Sequence, residues 1–208
     1  MNIDPHLYAE TFILEDSVKQ AARARGVENG VVDVSQGTGA YLRQLAHQIK
    51  AQSVVEIGTG SGVGSLWLLE GMLSSGTLTS IDDEMEHTSI AKLALADADI
   101  AQSRFRLITN SVMDVMTKLT DRAYDLVIFR HNPEDLSFAI SEAHRILRSG
   151  GVFVVDNFFG GAKVPDPAQR DPKTVALREA GKLIKADTES WVTSLIPVGD
   201  GLLLATKL

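Results

Sequence analysis

The sequence predicts an α/β protein: a doubly wound, mostly parallel sheet of seven strands with helices on both faces, finished by a C-terminal antiparallel hairpin. Three observations predict it. Strand-sized apolar runs alternate with stretches of helical periodicity from Gln36 onward; a glycine cluster lies between the first strand and the helix after it; and the last two strand-like runs are separated only by Gly199-Asp200-Gly201. Strands separated by helices run parallel with both faces covered. So short a connection admits only an antiparallel pair.

Taken in order, Leu42, Leu45, Ala46 and Ile49 recur at helical spacing between Gln36 and Lys50, and Ser53 to Ile57 then reads as a short buried strand. Past the glycines, Val63, Leu66, Trp67 and Leu69 mark a second helix and Leu78 to Ile81 the next strand. Ile90, Leu93 and Ala94 carry an amphipathic helix, Phe105 to Ile108 a strand, Val112 to Leu119 a helix and Leu126 to Phe129 a strand. Ala139, Ile140, Ala143, Ile146 and Leu147 lead into Gly150-Gly151 and the strand Val152 to Val155. A helix around Val175 to Ile184 precedes the closing runs, Trp191 to Val198 and Leu202 to Thr206. The N-terminal stretch through Phe12, Ile13, Leu14 and Val18 reads as an amphipathic helix, and no internal repeat or low-complexity linker interrupts the chain.

With 208 residues, 44% hydrophobic and 23% charged, the expectation is one globular domain over residues 1–208. A net charge of −7 without a Lys/Arg run argues against nucleic acid as a partner. Zero cysteines exclude a disulfide framework and thiolate metal sites. No apolar stretch is long enough to span a bilayer and no signal-peptide pattern opens the chain, so no membrane partner and a cytoplasmic location are expected.

The segment Gly58-Thr59-Gly60-Ser61-Gly62-Val63-Gly64 between strand and helix reads as a ligand-binding loop, with a simple packing turn as the alternative. Asp82 ends the following strand about 20 residues on, where a carboxylate can accept from a ribose hydroxyl pair. Helix capping ahead of Glu84 is the other role open to Asp82 and its neighbour Asp83. The dinucleotide fingerprint G-x-G-x-x-G fails because its third glycine would be Val63, and a P-loop fails because no Gly-Lys-Ser/Thr follows. Glu56, an acid ending the first strand, suits a cationic ligand carrying an amino acid and would repel a pyrophosphate.

Val55-Glu56-Ile57-Gly58-Thr59-Gly60-Ser61-Gly62 followed by Leu66-Trp67-Leu68-Leu69 closely resembles the cation-dependent O-methyltransferase family of catechol and caffeoyl-CoA O-methyltransferases. The likeness continues through Leu78 to Asp82, Tyr124 to Val127, Leu147 to Gly151, Val154 to Asn157 and the closing Pro197 to Leu202, and covers the chain from about Val34. The resemblance implies S-adenosyl-L-methionine as cofactor. Glu56, Gly58, Thr59 and Gly64, with Gly60 and Gly62 in the same loop, would surround its methionine part, Asp82 with Asp83 beside it would hold its ribose, and Val34, Ser111 and Val112 would flank it. Many relatives carry a serine at Gly64, and Ser65 is the candidate to compensate. The N-terminal helices, residues 1–35, would cap the site or join a homodimer, with packing into the core as the plainer reading; residues 36–208 would form the catalytic core.

One departure limits what the resemblance implies. Relatives usually follow the fourth strand with Asp-Ala-Asp-Lys, in which the first Asp binds a divalent metal and the Lys assists proton removal; here the aligned residues are Arg130, His131, Asn132 and Pro133. Asp156 and Asn157 match the remaining two protein ligands and suit Mg2+, but a guanidinium at position 130 opposes a dication, so the preferred expectation is a site without metal. Arg130 could instead pair with Asp156 and supply fixed positive charge to an acceptor oxyanion; a structural salt bridge in an inactive relative is the equal alternative. His131 is either a general base or, preferably, a residue packed near the adenine, so Arg130 and His131 count among both catalytic and cofactor-binding candidates. The other four histidines, His6, His47, His87 and His144, show no metal spacing and read as surface or satisfied residues.

Gly160 to Pro167 resembles the segment bordering the acceptor pocket in relatives. The expected function is therefore methyl transfer to a hydroxyl of a small molecule. A catalytically silent S-adenosylmethionine-binding relative is the alternative, and an NAD-type oxidoreductase a more distant one.

Overall fold

A computed structural model describes residues 4–208; the first three residues of the 1–208 span lie outside the described residues. The elements run α1 (Pro5–Glu10), α2 (Ser17–Glu28), α3 (Gln36–Gln48), β1 (Ser53–Ile57), α4 (Val63–Gly71), β2 (Thr77–Asp82), α5 (Met85–Asp97), β3 (Phe105–Thr109), α6 (Val112–Met116), β4 (Tyr124–Phe129), α7 (Leu136–Ile146), β5 (Leu147–Val155), α8 (Pro172–Ala186), β6 (Trp191–Ile196) and β7 (Leu202–Lys207). The seven strands form one sheet of order β3-β2-β1-β4-β5-β7-β6. The chain divides into two compact units, one ending at Val112 and one beginning at Met113. Among the described residues no helix is long and apolar enough to cross a membrane.

In the first unit, β1 pairs with β2 and β2 with β3, all parallel. Every residue of β1 after Ser53 is buried, the continuous burial expected of a parallel strand covered on both faces. Helices α4 and α5 pack against β2, and α3 packs against α4. The α3/α4 approach is made by reciprocal glycines: a Cβ at Gly71 would overlap the Arg43 carbonyl oxygen, and one at Gly39 would overlap the Trp67 ring. Because the neighbour at Gly71 is backbone, Gly71→Ala is expected to cost about 1–3 kcal/mol through overpacking, outweighing the ~1 kcal/mol gained in helix propensity. Urea unfolding checks this: the midpoint should fall with an unchanged slope.

In the second unit, β4 and β5 are parallel, and β7 lies antiparallel to both β5 and β6. The closing hairpin therefore attaches through its second strand, and β6 becomes the edge, with Val192 and Leu195 exposed. Strand β5 starts at Leu147, earlier than the expected Val152, because the pairing jumps from Tyr124↔Leu147 to Leu126↔Val152. Gly150, at φ +75°, makes that irregularity, so the Gly-Gly pair lies inside the strand instead of ahead of it.

The expected N-terminal helix through Phe12 to Val18 is corrected. Helix α1 stops at Glu10, the chain crosses Phe12 to Glu15 without helix, and α2 restarts at Ser17 behind the N-cap Asp16, whose carboxylate accepts from the Val18 and Lys19 amides. Phe12 and Leu14 are exposed, whereas the polar Glu15 is buried, because Arg23 and Gln36 hold it. The amphipathic pattern failed here because local caps and an ion pair outweigh it.

Candidate functional site

In the first unit the glycine loop leaves β1 at Gly58, whose amide donates to the Ile81 carbonyl at 2.8 Å. Gly58, Gly60 and Gly62 all take positive φ, 91°, 56° and 90°. At Gly62 the demand is also steric, since a Cβ there would lie 3.0 Å from Cα of Ala91 in α5. The loop thus turns tightly and delivers the chain into α4 with its backbone close to α5.

Glu56 is the most buried acid of the set, at 1% exposure. Its Oε2 accepts from the Ser65 hydroxyl and, at 2.7 Å, from the Ser80 hydroxyl, which in turn meets Thr59 Oγ1 at 2.7 Å. Its Oε1 occupies the space a Cβ at Gly64 would need, so a serine there, as in many relatives, would collide with Glu56 as placed. Val34 lies on the same side, 3.8 Å from that Cβ position, and its carbonyl is held by Arg23 at 2.7 Å. Hydrogen bonds to Glu15 raise the Arg23 pKa above its ordinary value, keeping it charged.

Asp82, buried at the end of β2, accepts from the Gly60 amide at 3.1 Å, the Glu84 amide at 3.0 Å and His87 Nδ1 at 3.0 Å. Asp83 is exposed and accepts from the Val112 amide at 2.9 Å, which caps the start of α6. The helix capping expected of this acid pair ahead of Glu84 is not found, since α5 has Glu84 as its N-cap with no side-chain cap bond; Asp82 instead closes a turn at the Glu84 amide and Asp83 bonds across to Val112. Ser111 is exposed and its amide bonds to the Asn110 side chain. The twelve candidates Val34, Glu56, Gly58, Thr59, Gly60, Gly62, Gly64, Ser65, Asp82, Asp83, Ser111 and Val112 all belong to this unit, and the contacts just given link most of them.

Sequence reasoning missed Asp33. Its buried carboxylate accepts from the Ser61 amide at 3.1 Å and the Ser61 hydroxyl at 2.6 Å, and it lies 2.6 Å from where a Cβ of Gly26 would be. The signal was an acid inside the apolar run Val31-Val32-Asp33-Val34. His87 carried no such signal, because nothing in its spacing marks it as a partner of Asp82.

In the second unit, Arg130 Nε lies 3.3 Å from Asp156 Oδ2, with the two side chains 5% and 1% exposed. His131 Nδ1 lies 3.3 Å from Asp135 Oδ2, and its ring meets Phe129 edge-on at 6.4 Å. Asn157 is exposed and left-handed, φ +55°. Among the described residues no group of three or more His, Asp or Glu could hold a metal ion. The Asp156 carboxylate that resembles a metal ligand instead faces a guanidinium, a donor set that does not fit a divalent cation.

A parallel sheet closed by an antiparallel hairpin, with a left-handed glycine loop after β1 and acids ending β1 and β2, is the build of a class I methyltransferase. The chain belongs to the O-methyltransferase family, whose model matches residues 5–208. A Mycobacterium marinum protein assigned by inference as an O-methyltransferase is 44% identical over 96% of this chain and 89% of its own. The O-methyltransferase TomG of Streptomyces achromogenes, solved with S-adenosylmethionine, superposes with a TM-score of 0.86 at 25% identity over 97% of this chain and 94% of TomG. Cofactor-bound Rv0187 from Mycobacterium tuberculosis gives 0.88 at 27% identity, covering all of this chain and 99% of Rv0187.

Proposed function

We propose that the protein transfers the methyl group of S-adenosylmethionine to a hydroxyl of a small molecule without a divalent metal. The observation that carries the cofactor assignment is Glu56: a buried carboxylate at the mouth of a glycine loop, supported by two neutral hydroxyls, favours an ammonium or sulfonium and repels a pyrophosphate. Structures of relatives holding the same cofactor support it.

When bound, the cofactor supplies an activated methyl for in-line transfer, so the chain has to position and deprotonate the acceptor. In this reading Glu56, Gly58, Thr59, Gly60, Gly62, Gly64 and Val34 surround the methionine part, while Ser65 acts through Glu56. Asp82 takes the ribose hydroxyls with its remaining acceptor capacity, and Asp83, Ser111 and Val112 shape the flank. Arg130, fixed by Asp156, supplies the positive charge that stabilises the acceptor oxyanion. His131, oriented by Asp135, packs beside the adenine or, as the second role, removes the acceptor proton. Asn157 serves as a turn residue and not as a metal ligand. The same reading takes the whole chain as one working domain, residues 1–35 as its cap or dimer segment, a homodimer in the cytoplasm as the working form, and no nucleic acid or membrane as partner. The net charge of −7 supports the last of these.

The test is calorimetric titration with S-adenosylmethionine in Mg2+ and in EDTA. Binding with a Kd on the order of micromolar, equal in both, is expected. Arg130 in place of the usual metal acid favours a silent relative as the second reading; binding that is absent in wild type and appears in Arg130→Asp would establish that one instead.

A further inference from the structure

Residues 157–171 connect β5 to α8 and leave the carboxyl end of β5 directly after Asp156, at the sheet edge where doubly wound folds hold their ligands. From Gly161 to Ala168 this segment is almost wholly exposed, carries no helix or strand and has little core packing to order it. It is nevertheless fastened from two sides.

The first fastening is the turn between β6 and β7. The Phe158 amide donates to the Gly201 carbonyl at 2.9 Å, the Phe159 amide to the Asp200 carbonyl at 2.7 Å, and the Gly161 amide to the Asp200 carboxylate at 2.6 Å. The second is α8. One guanidinium, Arg178, donates to four loop carbonyls: Nε to Val164 at 3.2 Å, Nη1 to Gln169 at 3.2 Å, and Nη2 to Lys163 at 3.4 Å and Asp166 at 2.8 Å. Only the planar fork of an arginine can reach four acceptors in fixed directions; a lysine has the charge but not the geometry. Arg178 thus fixes the outer half of the loop, and Asp200 fixes the half next to Asp156.

We infer that Arg178 and Asp200 are positioning residues that hold residues 157–169 as a preset wall for the methyl acceptor, so that acceptor affinity is set by two side chains acting through the loop. The inference rests on the O-methyltransferase reading above. Misplacing such a wall costs acceptor binding more than it costs the cofactor, whose candidate residues lie elsewhere in the chain.

The experiment combines hydrogen exchange of the loop amides with methyl-transfer kinetics on a panel of catechol and simple phenols, for wild type, Arg178→Lys, Asp200→Ala and Asp200→Asn. In Arg178→Lys and Asp200→Ala, loop exchange should rise about tenfold with β5 and α8 unchanged, acceptor KM should rise about tenfold, and kcat and cofactor Kd should change less than about threefold. Asp200→Asn keeps an acceptor oxygen for the Gly161 amide and should behave close to wild type. Unchanged loop exchange, or faster exchange with an unchanged acceptor KM, overturns the inference while the enzymatic reading stands. A wild type that binds the cofactor yet methylates nothing on the panel overturns both, and is told apart from the first case by its lack of turnover.

Discussion

Glu56→Gln is expected to weaken S-adenosylmethionine binding by about a hundredfold, near 3 kcal/mol. The amide preserves shape and one carbonyl acceptor, so the Ser65 and Ser80 hydroxyls keep a partner. What disappears is a full negative charge in a site where Glu56 is 1% exposed and charge interactions are weakly screened. Calorimetry should show the loss. Binding within threefold of wild type would mean that Glu56 does not face a cationic group of the ligand.

Much of this site could be read from the sequence because its signals are local. Glycines at alternate positions between an apolar run and a helical pattern specify a left-handed loop wherever the fold places it, and acids ending β1 and β2 fall at that loop by the alternation alone. Other features depend on partners far apart in the chain. Nothing near Asp33 announces Ser61, and nothing near Arg178 announces four carbonyls nine to fifteen residues away. The hairpin at Gly199-Asp200-Gly201 was legible as a turn, but its attachment to β5 through β7 follows from which strand carries the buried Leu202 to Ala205 run, a comparison between strands and not a property of either. The N-terminal helix was misread for a related reason: its periodicity continued through Phe12 and Leu14, while the Asp16 cap and the Glu15–Arg23 pair, which decide the backbone, lie outside a hydrophobic pattern.

The departure at Arg130 carries the second large effect. Arg130→Met removes one charged partner of Asp156, whose side chain is 1% exposed; the expected cost is about 3–5 kcal/mol, on the order of 10 °C in Tm for a chain of this size. The double variant Arg130→Met/Asp156→Leu removes both charges and should recover most of that stability, since a well-packed apolar pair can match a buried ion pair. Methyl transfer should not recover with it. A structural salt bridge predicts that activity returns with stability, whereas a fixed charge serving the acceptor oxyanion predicts a stable and slow enzyme. Stability and turnover measured on the same two variants therefore decide between those roles. A single substitution costing less than about 1 kcal/mol would show that the pair is not energetically coupled. Restoring the relatives' acid by Arg130→Asp completes the argument from the other side: beside Asp156 it creates two close carboxylates whose mutual repulsion a divalent cation would relieve, so this variant alone should be stabilised by Mg2+.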